Sequence, residues 1–310
     1  MRVIRVDLNH LKHSRIPMCA CIGYFDGLHR GHQKLIEKTC ELGRKYNCET
    51  ALITFDPDPW VVIKGMSNVK HLSTMAQRMN RAVSYGIDNI VLLNFTRDMS
   101  ELSPQDFVDK ILGSLNLKAL VCGFDFSFAD HGKGNAAFLQ EHAPFEVAVI
   151  ARVEDEKGKI SSTRISECVV EGRMEEANEM LGYHYNIEGR VVHGRHRGTG
   201  MGFPTANVSF SNEYLLPRTG VYAGYAIVDG KRYEAMINIG TNPTFHDIDH
   251  MSLEAHLFHY HGDLYDKKIC VEFLKYMRPE KTFRSKDNLV LQLDQDMRDI
   301  ENYFGTLNNG

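Results

Sequence analysis

Over the first half of the chain, short blocks of consecutive apolar residues alternate with stretches in which apolar positions recur every three or four residues. Residues 18–22 and 50–55 read as strands buried on both faces, and residues 33–46 between them carry a helical period. The alternation continues with helix 74–85 before strand 89–93, helix 104–115 before strand 119–122, and a further strand at 146–149. Repeated strand–helix–strand units predict an α/β domain, a mostly parallel sheet with helices on both faces. The segments that follow its strands, 23–32, 55–60, 95–98 and 123–134, converge on one crevice in such a sheet. A helical stretch over 162–181 opens on hydroxyl caps and divides at Gly172.

After Gly182 the period changes. Residues 185–193, 220–228, 233–239, 251–260 and 268–273 read as short strands separated by Gly-, Asp- or Pro-containing turns, with Asp229-Gly230 a strong hairpin signal. This predicts an antiparallel β-barrel or curled sheet closed by a terminal helix over 287–304. The expected boundary lies near 184, giving domains of 1–184 and 185–310.

The 310 residues suffice for two domains of ordinary size, and 43% of them are hydrophobic. A net charge of -4 gives no global field for nucleic acid, so a phosphate ligand has to be held locally. The seven cysteines show no paired zinc spacing and no secretory leader precedes them, which fits reduced thiols in a cytoplasmic protein. No apolar run is long enough to span a membrane, and no obligate protein partner is predicted.

Two constellations carry chemistry. In the first, a strand runs into Gly23-Tyr24-Phe25-Asp26-Gly27-Leu28-His29-Arg30-Gly31-His32. Free amides at the start of the following helix favour an anion, and two histidines three residues apart share a helical face. Glycine at 23 and 27 leaves room for close approach, and Asp26 is placed to cap the helix or orient a histidine. Downstream, Lys159-Ile160-Ser161-Ser162-Thr163-Arg164 brings hydroxyls and a cation to another helix start. In the second, Gly198-Thr199-Gly200-Met201-Gly202-Phe203-Pro204-Thr205-Ala206-Asn207 is a glycine-dense loop entering a strand, with Thr205 and Asn207 on one face, suited to Mg2+. Gly-Lys-Ser/Thr is absent, so it is not a Walker A loop.

The first motifs resemble the HxGH nucleotidyltransferases, and with Thr54-Phe55-Asp56-Pro57-Asp58-Pro59 they look like the bacterial FAD synthetase family. The second resembles the riboflavin kinase signature, continued by Asn238-Ile239-Gly240, Glu254-Ala255-His256-Leu257 and Arg278-Pro279-Glu280-Lys281. The resemblance implies a Rossmann-like nucleotidyltransferase domain followed by a riboflavin-kinase-like barrel. It implies ATP, riboflavin and FMN as substrates, FAD as product and Mg2+ as metal. It places ATP phosphates on His29 and His32 beside Gly23, Phe25, Asp26 and Gly31, with Ser162, Thr163 and Arg164 closing on the same nucleotide. Gly123 to Phe128, including Asp125 and Phe126, forms the flavin side, with Asn135 nearby. In the kinase half it assigns Mg-ATP to Thr205 and Asn207 beside Gly200, Gly202 and Arg278, and makes Glu254 the base that activates the ribityl hydroxyl.

Five positions depart from that pattern: Asp58 for His, Ala129 for Gly and Ser166 for Arg in the first half, Thr199 for a basic residue and His259 for Asp in the second. The loss of a cation and a histidine is expected to weaken ATP or metal binding. The competing expectations are a monofunctional kinase with a degenerate first domain, and a non-catalytic flavin-binding regulator.

Overall fold

A computed structural model of the chain describes residues 1–193, 205–242 and 250–308. It divides into two compact units, Met1–Ser162 and Thr163–Gly310.

The first unit is built on six parallel strands: β1 (Arg2–Val6), β2 (Met18–Ile22), β3 (Glu49–Phe55), β4 (Asn89–Leu93), β5 (Leu117–Gly123) and β6 (Glu146–Ile150). Their order across the sheet is β1-β4-β3-β2-β5-β6, with the predicted nucleotide strand β2 near the centre. Every residue of β2 and β4 is buried, the physical reason both read as unbroken apolar blocks. One face packs α1 (Arg30–Tyr46) and α3 (Met75–Ser84) through Leu35, Ile36, Leu42 and Ala82. The other buries Phe107, Val108, Ile111 and Leu112 from a helical stretch that passes from α through π to 3-10 geometry. Two short helices also belong to this unit: α2 (Pro59–Lys64), which lines the cavity described below, and α4 (Ala136–His142).

The second unit begins with α5 (Ser162–Glu171), which starts at the last residue of the first, and α6 (Met174–Leu181); Gly172, at φ 80°, separates them as the sequence predicts. Six antiparallel strands follow: β7 (Asn186–Val192), β8 (Ala206–Phe210), β9 (Gly220–Val228), β10 (Lys231–Asn242), β11 (His250–Leu257) and β12 (Lys268–Arg278). They close into a barrel in the order β7-β8-β11-β10-β9-β12. Asp229 and Gly230, both at positive φ, make the two-residue turn between β9 and β10. Tyr222, Ile237, Ile239, Leu253, Ala255 and Phe273 are buried, and Gly224 admits the crossing of β12, because a Cβ there would lie 2.1 Å from the Glu272 carbonyl oxygen. Helix α7 (Lys286–Asn308) lays Ile300 and Phe304 against Val221, Ala223 and Met236.

Candidate active site

In the first unit the chain leaves β2 through a turn that only an unusual backbone permits. Phe25 (φ 57°), Gly27 (φ 74°) and Leu28 (φ 39°) all adopt the left-handed region before α1 begins. The strain is held by burial, since Phe25 and Leu28 are sealed in the core. His29 is the N-cap of α1: its Nδ1 accepts the His32 N–H at 3.4 Å. The two imidazoles stack with ring centroids 3.7 Å apart, and Phe25 meets His32 edge-on at 5.1 Å. Gly31 makes this possible, because a Cβ there would stand 3.0 Å from the His29 ring.

Burial, reinforced by the Lys159 ammonium, lowers His29 to about 4; burial and the neighbouring His29 hold His32 well below its usual value. Both rings are therefore neutral at pH 7. Nδ1 of His32 is sealed from solvent and has no hydrogen-bond partner among the described residues.

Asp26 does neither thing expected of it. The cap is His29, and the Asp26 carboxylate instead accepts Leu72 N–H (3.1 Å) and Ser73 N–H (3.2 Å) and pairs with Arg78 at 3.2 Å, both side chains nearly buried. It ties the histidine turn to α3 from beneath. Arg78 lies 52 positions away with no motif around it, so nothing in the sequence announced this support.

The second motif reaches the same turn: the Ser162 hydroxyl donates to the Asp26 carbonyl at 2.9 Å. A cavity of about 770 Å³ opens here, lined by Gly23, Phe25, His29, Gly31, His32, Asp125, Phe126, Lys159, Ser161 and Ser162 and by a set of further aromatic residues. That volume suits a cofactor-sized ligand. Asp125 contacts the Lys159 ammonium, which lies 5.1 Å over the Phe124 ring. Asn135 lies near the 123–128 segment, paired opposite Ser127, and caps α4 by accepting Phe138 N–H at 2.9 Å; it is not itself among the residues that line the cavity. Thr163 and Arg164 continue α5 in the second unit.

In the barrel, the register sets Asn207 on β8 directly opposite Glu254 on β11, and Glu254 opposite Asn238 on β10. The row lies on the outer face. Leu253 and Ala255, its neighbours in the strand, are buried, whereas Glu254 is half-buried and shares a face with Met236, which packs against α7. Thr205 stands two residues before Asn207, on the same side. Gly200, Gly202 and Thr199 lie outside the described residues. Arg278, expected at the nucleotide, is paired with α7: Nε donates to Asp296 Oδ1 at 2.7 Å, Nη2 to Asp296 Oδ2 at 2.5 Å, and Nη1 to the Pro279 carbonyl. It joins β12 to α7. Among the described residues no cluster of three His, Cys, Asp or Glu side chains is arranged to hold a metal ion.

A family model described as FAD synthetase matches residues 11–164, and one described as riboflavin kinase matches residues 181–304. A bifunctional riboflavin kinase/FMN adenylyltransferase of Listeria monocytogenes is 37% identical over 289 residues, covering 92% of each chain. The chain belongs to the bifunctional riboflavin kinase/FMN adenylyltransferase family. The Escherichia coli K12 member is 32% identical over 300 residues, 94% of this chain and 95% of its own. A crystal structure described as a macrolide-efflux protein from Streptococcus pneumoniae superposes with a TM-score of 0.90 at 31% identity, covering 97% of this chain and 99% of that one. No helix among the described residues is long and apolar enough to cross a membrane.

Two departures from the family pattern now have a structural account. Asp58 is not among the residues that line the cavity: it caps α2 by accepting Trp60 N–H at 2.8 Å, and it takes the Tyr24 hydroxyl. Ala129 sits at φ 64°, ψ -170°, a region nearly reserved for glycine, so an alanine is held there at a cost in strain.

Proposed function

We propose that this chain phosphorylates riboflavin to FMN in its barrel and adenylylates FMN to FAD in its α/β unit, releasing pyrophosphate. The observation that carries the reading is the convergence of both N-terminal motifs on one cavity, with Ser162 bonded to the histidine turn, in a chain related to bifunctional enzymes over nearly its whole length. We assign the two reactions to residues 1–184 and 185–310, and place the protein in the cytoplasm.

For adenylylation, an FMN phosphate oxygen attacks the ATP α-phosphorus, so the chain supplies alignment and countercharge rather than a nucleophile. Neutral His29 and His32 donate hydrogen bonds but bring no charge at pH 7. Lys159, and Arg164 from the second motif, supply charge as pyrophosphate leaves. Free amides at the start of α1 bind the phosphates. Asp125 and Phe126 contact the flavin.

For phosphorylation, Glu254 accepts the proton of the ribityl 5'-hydroxyl as its oxygen attacks the γ-phosphate. Thr205 and Asn207 offer neutral oxygens on the face that carries Glu254, a donor set suited to Mg2+. The metal, once bound, supplies charge neutralisation at the phosphates.

A time course with riboflavin, ATP and Mg2+, separating riboflavin, FMN and FAD, tests the reading. FMN should rise and then pass into FAD. Absence of FAD from a reaction supplied with FMN, ATP and Mg2+ removes the adenylyltransferase; absence of FMN and FAD from the riboflavin reaction removes the kinase.

A further inference from the structure

The chain has one tryptophan, Trp60, and it is 46% exposed in the wall of the N-terminal cavity. An aromatic side chain so placed gains free energy from any flat apolar ligand that covers it. It stands on α2, six residues long and too short to hold its own geometry.

The geometry is imposed by a chain of contacts from the histidine turn. Arg78, paired with Asp26 below that turn, stacks its guanidinium 4.9 Å over the Tyr24 ring and donates to the Tyr24 carbonyl at 3.5 Å. Thr54 donates to the same carbonyl at 3.2 Å. The hydroxyl of Tyr24 then donates to Asp58 and lies 3.1 Å from His71 Nδ1, while His71 Nε2 is 3.8 Å from Asp58. With a side chain only 9% exposed, the Asp58 carboxylate depends on these partners. Its other oxygen caps α2 at Trp60 itself. The backbone of Trp60 is thus anchored at a cavity that its side chain lines together with Phe55, Phe95 and Phe126, and the Lys64 ammonium lies 4.9 Å over its ring.

We propose that Trp60 is a binding residue for the isoalloxazine ring of FMN, and that Tyr24 and Asp58 are the positioning residues that hold it there. The proposal rests on the reading of this unit as an FMN adenylyltransferase. Four aromatic side chains around one cavity offer the width that a tricyclic ring requires, whereas the nucleotide is held through its phosphates at the start of α1.

Because no other tryptophan contributes, FMN titration of the full-length protein reads the site directly. FMN quenches Trp60 emission saturably, at concentrations matching its KM, and ATP alone does not. In adenylylation, Trp60→Ala raises the KM for FMN about ten-fold with kcat within about three-fold, and Trp60→Phe restores it. Tyr24→Phe, which deletes only the hydroxyl, raises the same KM by a smaller factor, as does Asp58→Asn. Circular dichroism establishes that each variant is folded; if Asp58→Asn is not, Tyr24→Phe decides the positioning role. Quenching by ATP in place of FMN, or an unchanged KM in folded Trp60→Ala, overturns the proposal. Saturable quenching by FMN without FAD formation supports the binding role and removes the activity instead.

Discussion

His29 and His32, proposed to bind phosphate, show how burial keeps an imidazole neutral. Sealed beneath the turn, His29 cannot charge in the folded protein until the pH approaches 4, and burial holds His32 well below its usual value, whereas in the unfolded chain both titrate near the ordinary value of 6.5. The unfolded state therefore binds more protons between those limits. Stability is complete above about pH 6.5 and falls as the pH drops toward 4, by an amount on the order of 2–3 kcal/mol for His29. Thermal melting from pH 7 to 4.5 should show this decline, and His29→Gln should flatten it; parallel curves would mean that another group carries the dependence. Ala129 offers the opposite opportunity. Its backbone region suits glycine, so Ala129→Gly should raise stability by about 1 kcal/mol in spite of glycine's greater freedom when unfolded, a gain measurable as a shift in the urea midpoint.

At the scale of elements, α7 is attached to the barrel by two unlike means. Ile300 and Phe304 bury apolar surface, while Arg278 and Asp296 form a two-bond ion pair in which the carboxylate is 3% exposed. Removing one partner strands the other charge, so Asp296→Ala should cost about 3–5 kcal/mol in urea unfolding. Replacing both Arg278 and Asp296 by apolar residues of similar volume should recover most of that loss; no recovery would show that the pair does more than join helix to strand. This contact also marks a limit of reading the sequence. Strands buried on both faces, such as β2 and β4, were legible as continuous apolar blocks, and the β9–β10 turn as Asp-Gly. By contrast, β1 is mostly exposed and carries two arginines, so it lacks an apolar signature, and α2 is a single capped turn opened by proline. The family motif that contains Arg278 ends before Asp296, so it does not announce the carboxylate with which Arg278 pairs. Likewise the histidine turn was legible, but not the Asp26–Arg78 pair beneath it. Partners distant along the chain leave no periodicity.

For the whole molecule, the proposed function assigns the two reactions to different residues, with FMN as product of one and substrate of the other. His32→Ala removes a donor at the adenylyl site, and a loss of about 10²–10³ in FAD formation is expected with FMN formation retained. Glu254→Gln removes the proposed base, with a loss of about 10²–10⁴ in FMN formation and normal conversion of supplied FMN. Neither variant alone should carry riboflavin efficiently to FAD. Mixed in one tube they should do so, because FMN released by the His32→Ala protein reaches the intact adenylyl site of the Glu254→Gln protein. The rate of the mixture should lag at first and then rise as FMN accumulates, a shape set by diffusion of the intermediate through solution. If the mixture stays inactive while each variant still performs its own half-reaction, FMN is not released freely, and the division of chemistry between the units has to include retention of the intermediate.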